Sequence, residues 1–343
     1  ALEARAGVPA GSPEALRVQK AVMEGAAVRL AVQTEGWYRV TASELAAAGF
    51  DASADPRTVQ LFADGVEQAI RVEGEAEGKA EAIEFYGMGR ETPWTGTRTY
   101  WLVSGKAAGA RIPMEGATAQ EQGAAGSFAY ALEWRPRTIY FAGLPNGEED
   151  NFFGPLITSE AVSQGMAVTA LDANGGSAQL SVTVRGVTEG EHSVAVKLNG
   201  NEALQVTLQN KESGSATVEV PAGQLQEGVN TLELASTGGE GDMSLVDRVV
   251  LTYPHRYEAE NDGLKFTAGA GQPATVRGLS SGAVRVLDVT DAANVAEVQA
   301  SVSGSDGNYA VTVIPGGTGE RRLLAVTAAR ASRPAGARAH DPT

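Results

Sequence analysis

Between residues 179 and 253 apolar and polar side chains alternate with a period of two, and no other feature of the chain restricts its fold as much. Leu180, Val182 and Val184 are interleaved with Gln179, Ser181 and Thr183, and Val194, Val196 and Leu198 with Ser193, Ala195 and Lys197. Leu204, Val206 and Leu208 follow Asn199-Gly200, a dipeptide that accepts the left-handed backbone of a two-residue hairpin turn. Val218 with Val220, Leu232 with Leu234, and Val249 with Leu251 and Tyr253 continue the series. Neighbouring side chains on a strand point to opposite faces, so each of these strands has one wet and one dry side. Such strands, about 10–15 residues apart, specify an antiparallel sandwich over 128–254. No strand–helix–strand alternation is present, which excludes a dinucleotide-binding fold.

The flanking regions have the same grammar with less regularity. Short Val, Ile and aromatic runs at 28–32, 37–40, 59–62, 69–72, 82–86 and 100–103 predict strands of a first β-domain over 26–120. Two short helices interrupt them. Ser12-Pro13-Glu14 offers a hydroxyl cap, a proline at the first helical position and an acid at the positive end of the dipole. The resulting helix spans 13–24 within an N-terminal segment 1–25 and stops at Gly25. Thr41-Ala42-Ser43-Glu44 is a capping box, and Gly49 ends its helix. Residues 104–127, rich in Gly and Ala, read as a linker or long loop. Runs at 264–267, 275–277, 284–289, 295–302, 309–314 and 322–326, with Asp306-Gly307 as a turn, predict a small C-terminal β-domain over 255–329. From Arg330 onward three arginines, two prolines and one acid show no apolar period, so 330–343 reads as a basic linker or tail.

Composition removes whole classes of function. Lys and Arg number 27 against 42 Asp and Glu, a formal charge of −15, which opposes nucleic-acid or anionic-membrane binding through phosphate neutralisation. Cysteine is absent, and with it disulfides, thiolate nucleophiles and zinc–thiolate sites. Three histidines, His192, His255 and His340, are too scattered for a histidine-rich metal site. No run approaches the roughly 20 apolar residues of a membrane helix. The chain opens at Ala1 with no basic-then-apolar leader.

Candidate sites are few, and each has a bland reading. Gly278-Leu279-Ser280-Ser281-Gly282 matches a nucleophile elbow, which requires a following helix to lift the serine, but 283–289 reads as a strand. Asp172 with Asn174, Asp288 with Asp291, and Asp306 with Asn308 are oxygen-ligand pairs of a kind that calcium uses, and equally ordinary turn residues; a structural calcium is left open and no other cofactor is expected. Glu73, Glu75, Glu77, Glu81 and Glu84 read as a solvated acidic loop, as do Glu148, Glu149 and Asp150. Trp37 and Trp101 sit in strand patterns and belong in the core, whereas Trp94 lies on a loop and is the candidate ligand contact, by stacking on a sugar ring. His192 and His255 read as structural. No catalytic residue is assigned.

Several phrases, in order, resemble a known arrangement. Glu35-Gly36-Trp37-Tyr38-Arg39-Val40-Thr41 with Ala48-Gly49-Phe50 is the first, and Asp55-Pro56-Arg57 with Val59-Gln60-Leu61-Phe62 the second. Ala82-Ile83-Glu84-Phe85-Tyr86-Gly87-Met88-Gly89 and Thr99-Tyr100-Trp101-Leu102 follow. Tyr253-Pro254-His255-Arg256-Tyr257, Leu264-Lys265-Phe266-Thr267 and Val284-Arg285-Val286-Leu287-Asp288-Val289-Thr290-Asp291 complete the set. Together they resemble the N-terminal β-rich region of gingipain-type (family C25) cysteine peptidases, including PorU-like surface proteins, from about residue 28 to about 334. The resemblance implies that Leu198-Asn199-Gly200 and 227–234 lie in a jelly-roll, galactose-binding-like domain. In that family the catalytic Cys–His pair belongs to a caspase-like domain that follows, so no catalytic residue carries over.

The resulting expectation is a mainly β protein of antiparallel sandwich modules with one or two short helices. Its implied role is a non-catalytic scaffold or prodomain-like region of a secreted or cell-envelope bacterial protein. Its implied partner is a peptidase domain or secretion machinery, and Arg330, Arg333 and Arg338 are candidate processing sites. The alternative is a carbohydrate-binding or adhesive module. A hydrolase built on Ser280 lacks its structural context.

Overall fold

The computed structural model describes the chain except residues 1–9, 52, 91, 93, 94, 117, 118, 120–122, 145–149, 341 and 343. It is mainly β, with the two helices Pro13–Met23 and Ala42–Ala47, and it divides into two compact units. One unit is Ala125–Glu258; the other combines Ala1–Ala124 with Ala259–Thr343. The segments expected as separate first and C-terminal domains therefore share one unit.

Ala125–Glu258 is the sandwich that the alternation specifies. One sheet runs Leu156–Ile157, Ser244–Arg256, Ala178–Gly186, Ser213–Val220, with Ser127–Trp134 also paired to Ser244–Arg256. The other runs Val162–Val168, Gly228–Ser236, Glu191–Leu198, Asn201–Gln209. Every pairing in both is antiparallel. The dry faces meet in one core, where Val182, Val194, Leu232, Leu234 and Leu251 are fully buried. Asn199 and Gly200, at φ 52° and 79°, form the hairpin turn between Glu191–Leu198 and Asn201–Gln209.

The second unit is layered. A five-stranded sheet runs Gly336–His340, Ala27–Val32, Arg98–Ser104, Val59–Ala63, Val66–Gln68. A three-stranded sheet, Gly36–Thr41, Ala82–Gly87, Ile70–Glu73, packs on its inner face through Leu30, Leu61, Leu102, Ile83 and Phe85. The far side of the three-stranded sheet meets a further five-stranded sheet: Gly263–Gly269, Glu320–Thr327, Val284–Asp288, Ala296–Val298, Met114–Glu115. Trp37 and Tyr86 pack there against Leu287, Val289 and Val326. A last sheet runs Ala274–Leu279, Asn308–Val313, Ala300–Ser305, with Asp306-Gly307 as its hairpin turn at φ 54° and 80°. Covered on both sides, Ala82–Gly87 is buried at every position, which erases the period-two signal.

Both capping signals operate. Ala15 N–H donates to Ser12 Oγ at 3.1 Å, and Thr41 and Glu44 form a complete capping box. Helix Pro13–Met23 lays Val18 and Val22 on Phe62, Trp101 and Val103, on the outer face of the first sheet. It passes over the hairpin turn at Asp64-Gly65, where Gly65 (φ 76°) leaves no room for a Cβ, which would stand 1.8 Å from the Ala15 carbonyl oxygen.

Two stretches depart from expectation. Within 104–127, Met114–Glu115 pairs with Ala296–Val298 in a parallel arrangement, and Ile112 N–H donates to the Ile70 carbonyl. The stretch is fastened at points that carry no periodicity. Residues 330–343 are not a free tail: Gly336–His340 forms the outer strand beside Ala27–Val32. Backbone pairing is the main tie on that strand; Gly336 to Ala339 are exposed and only His340 is partly buried, against Trp101, so apolar patterning has nothing to report.

Candidate functional site

The deepest charged feature is built on the middle of the three-stranded sheet. Glu84 lies between Arg39 and Arg71, its direct cross-strand neighbours. Its carboxylate is 1% exposed and accepts from Arg71 Nη1 at 2.7 Å, with Arg39 Nε at 3.8 Å. From the facing sheet Arg285 Nε approaches to 3.5 Å, and Arg285 also holds Glu297 at 2.9 Å. Glu73 bridges Arg39 and Arg71; burial pushes its carboxyl up, but the two guanidinium groups outweigh this and hold it below the usual range. Three arginines and three glutamates thus balance inside the unit. Glu73 and Glu84, expected in a solvated loop, are members of this network. It fastens two layers, with only the Glu84 carboxylate fully buried.

A second buried polar cluster lies in the sandwich. His192 Nδ1 faces Asp242 Oδ1 at 2.6 Å, and its Nε2 faces the Thr188 carbonyl at 3.0 Å. Asp242 also accepts from Ser236 Oγ at 2.5 Å, Ser193 N–H at 3.2 Å and Gly238 N–H at 3.1 Å. Burial raises the Asp242 carboxyl, but these bonds prevail and hold it low. Ser244 completes a superficial likeness to a triad, yet its Oγ stands 3.5 Å from Nδ1, the nitrogen that Asp242 occupies. All three side chains are buried, so no substrate reaches them. The cluster clasps the loop before Ser244–Arg256 to Glu191–Leu198.

Two grooves open to the surface. In the layered unit a groove of about 1010 Å³ is walled by Asp55-Pro56-Arg57, the turn 75–78 and the segment 108–111. Asp55 caps the short 3-10 turn Pro56–Thr58 and ion-pairs with Arg57 at 2.7 Å. Arg111 holds the walls together: its Nη2 donates to the Pro56 carbonyl and its Nε to Glu75, at 2.8 Å and 2.9 Å. Exposed Asp55, Arg57 and Glu77 leave both signs of charge facing the opening. In the sandwich a groove of about 500 Å³ is lined by Gln179, Glu219, Ser177 and Thr252, while its aromatic members Phe128 and Tyr253 are turned inward.

The sequence-level candidates fall as follows. Trp94, with Glu148 and Glu149, lies outside the described residues. Trp37 and Trp101 are core. Ser280 donates to Asp262 Oδ2 at 2.6 Å and sits between two strands, with no helix following. Asp172 Oδ1 accepts from Asn174 N–H, Asp288 accepts from Thr290 N–H and Arg321, and Asp306 occupies its hairpin turn. Among the described residues no group of three or more His, Asp or Glu side chains could hold a metal ion. Arg330 ends the 3-10 turn Ala328–Arg330, Arg333 ion-pairs with Glu44, and Arg338 is in the paired outer strand. The buried partners of Glu84 and His192 were not found from sequence. They come from strands and loops 13 to 201 residues away, and no spacing rule connects them.

The fold is that of a mainly β protein of several antiparallel sheets with two surface grooves, and its lack of cysteine leaves it no thiolate chemistry. No family model matches the chain, and no curated protein matches it. Among solved structures it is similar to dimeric latent PorU from Porphyromonas gingivalis, with a TM-score of 0.69 at 13% identity. That likeness covers 92% of this chain and 33% of PorU, so the chain spans about a third of the PorU length. The shared fold is the PorU-like β-rich architecture expected from the quoted phrases. A CBM36 domain of a xylanase from the hindgut metagenome of Trinervitermes trinervoides matches 36% of this chain at a TM-score of 0.25 and 13% identity, covering 95% of that domain. A carbohydrate-binding module CBM36 in complex with calcium and xylotriose matches the same share at 0.25 and 16%, covering 98% of that module. No helix of the described residues is long and apolar enough to cross a membrane.

Proposed function

We propose that this chain is the non-catalytic, β-rich scaffold or prodomain-like region of a secreted or cell-surface C25-type protein, and that it works through contacts with a peptidase domain. The supporting observation is the fold correspondence with PorU across 92% of the chain, joined to a sequence without any cysteine. The groove at Asp55, Arg57, Glu77 and Arg111 is the contact surface in this reading. Its walls are rigidly braced, and its mixed charges suit a polar protein surface better than an apolar small molecule. Arg330, Arg333 and Arg338 remain processing sites in this proposal. Cleavage after Arg338 requires the outer strand to leave Ala27–Val32 first.

The test is calorimetric titration of the chain with the catalytic domain of its parent protein. Micromolar or tighter binding that Arg57→Glu weakens is expected. Absence of heat and of co-elution at micromolar concentrations would overturn the proposal. The glycan-binding alternative draws on the smaller groove of the sandwich, where contact would run through Gln179, Glu219 and Thr252 rather than through a stacked aromatic ring. A glycan array on wild type and Glu219→Ala reads it directly.

A further inference from the structure

The edge of the first sheet carries a charge arrangement that the fold leaves uncompensated. Arg29, on Ala27–Val32, lies directly opposite Arg338 on Gly336–His340. Like charges at directly opposed positions of an antiparallel pair repel. In a chain of net charge −15 the half-buried arginines Arg39, Arg71, Arg98, Arg111, Arg285 and Arg321 each hold a carboxylate. Arg29 and Arg338 have no ion pair or hydrogen bond among the described residues, and Arg29 Nε is a buried donor without an acceptor. Such a donor is costly until something accepts from it.

The surroundings are those of a cationic patch on one face of the sheet edge. Alternation along each strand puts Arg29, Arg338, His340 and Trp101 on one face, since Trp101 is the other cross-strand neighbour of Arg29. The His340 ring stands edge-on to Trp101 with centroids 4.9 Å apart, and its Nε2 donates to the Met23 carbonyl at 2.8 Å. That bond fixes the ring at the end of helix Pro13–Met23. Two directly opposed arginines thus share one face, and among the described residues neither has an oxygen partner, with Arg29 Nε buried.

We infer that Arg29 and Arg338 form an oxyanion site, taking a carboxylate, sulfate or phosphate group that bridges the two forks and clamps strand Gly336–His340 onto Ala27–Val32. Guanidinium groups bind such anions through paired N–H donors, and one anion shared between two opposed arginines turns their repulsion into attraction to a common partner. This site is independent of the groove at Asp55 and Arg57.

Amide hydrogen exchange of Gly336–His340 in the full chain tests it, in chloride, acetate, sulfate and phosphate at equal ionic strength. At least one oxyanion should raise protection of these amides roughly threefold or more over chloride, because a ligand bound only to the docked strand multiplies the closed population. Which salt acts separates a carboxylate site from a tetrahedral-anion site. Arg338→Gln, an exposed change, should abolish the effect. Strand Ser213–Val220 serves as the control, since general salt stabilisation would act there as well. Equal protection in all four salts, the same gain in the control strand, or a gain that survives in Arg338→Gln would overturn the site.

Discussion

The sandwich Ala125–Glu258 and the layered unit around it in sequence reach a β fold by opposite means. In the sandwich each strand has one wet face, and all the strands come from one continuous segment, with Glu191–Leu198 and Asn201–Gln209 joined by a tight hairpin. In the layered unit, strands from the first third of the chain are completed by strands from the last quarter: Ala27–Val32 pairs with Gly336–His340, and Arg285 reaches Glu84. The middle sheet there is buried on both sides and carries a network of three arginines and three glutamates, where the sandwich's dry faces are mostly apolar and hold the His192–Asp242 cluster. Stability thus rests on one continuous segment closed around an oily core in one unit. In the other it rests on long-range closure plus a neutralised charge network.

The largest effect expected from breaking this contrast is at Glu84. Glu84→Ala leaves the guanidinium groups of Arg39, Arg71 and Arg285 facing each other without their shared carboxylate, and should cost about 3–5 kcal/mol. Denaturant unfolding followed by hydrogen exchange of Gly36–Thr41 and Ala82–Gly87 measures the loss. A loss below about 1 kcal/mol, the range of an exposed pair, would mean that the network adds little. Next is Leu232→Ala in the oily core, expected to cost about 2–5 kcal/mol, with Glu191–Leu198 and Asn201–Gln209 losing protection.

A smaller, pH-dependent effect belongs to Asp242. Its carboxyl is held low in the fold, so folding favours the ionised form. The stabilisation is complete above the unfolded carboxylate value of about 3.9 and disappears as pH falls through the lower folded value. Urea midpoints measured from pH 7 downward should therefore fall more steeply in wild type than in Asp242→Asn. Parallel curves would assign acid sensitivity elsewhere. Smallest is Gly200→Ala in the Asn199-Gly200 turn, where a side chain at φ 79° should cost about 1 kcal/mol with little change in the denaturant slope.

The same contrast decides what the sequence reveals. Alternation located the sandwich strands, and the hairpin turns at Asn199-Gly200 and Asp306-Gly307 and both helix caps followed from local chemistry. Strand 82–86 was legible as a strand, but the face on which Glu84 sits was not, because burial on both sides removes the polar half of the pattern. The outer strand Gly336–His340 has the sequence of a tail, because it is held mainly by backbone bonds, which have no sequence signature. His192 was rightly read as structural, yet its partner Asp242 lies 50 residues away, and nothing in the linear chain joins them. Trp94, the ligand contact expected from sequence, falls among the residues outside the description.

The pairing of Ala27 with His340 at one end of the outer strand has a mechanical consequence. Tension drawn between the segments that precede residue 27 and follow residue 340 would load that terminal rung first, then the next, as a zipper opens. It would not strain all five rungs together, as pulling along the sheet in shear would. A modest tug on both flanks should therefore peel this strand away while the three-stranded sheet beneath stays whole.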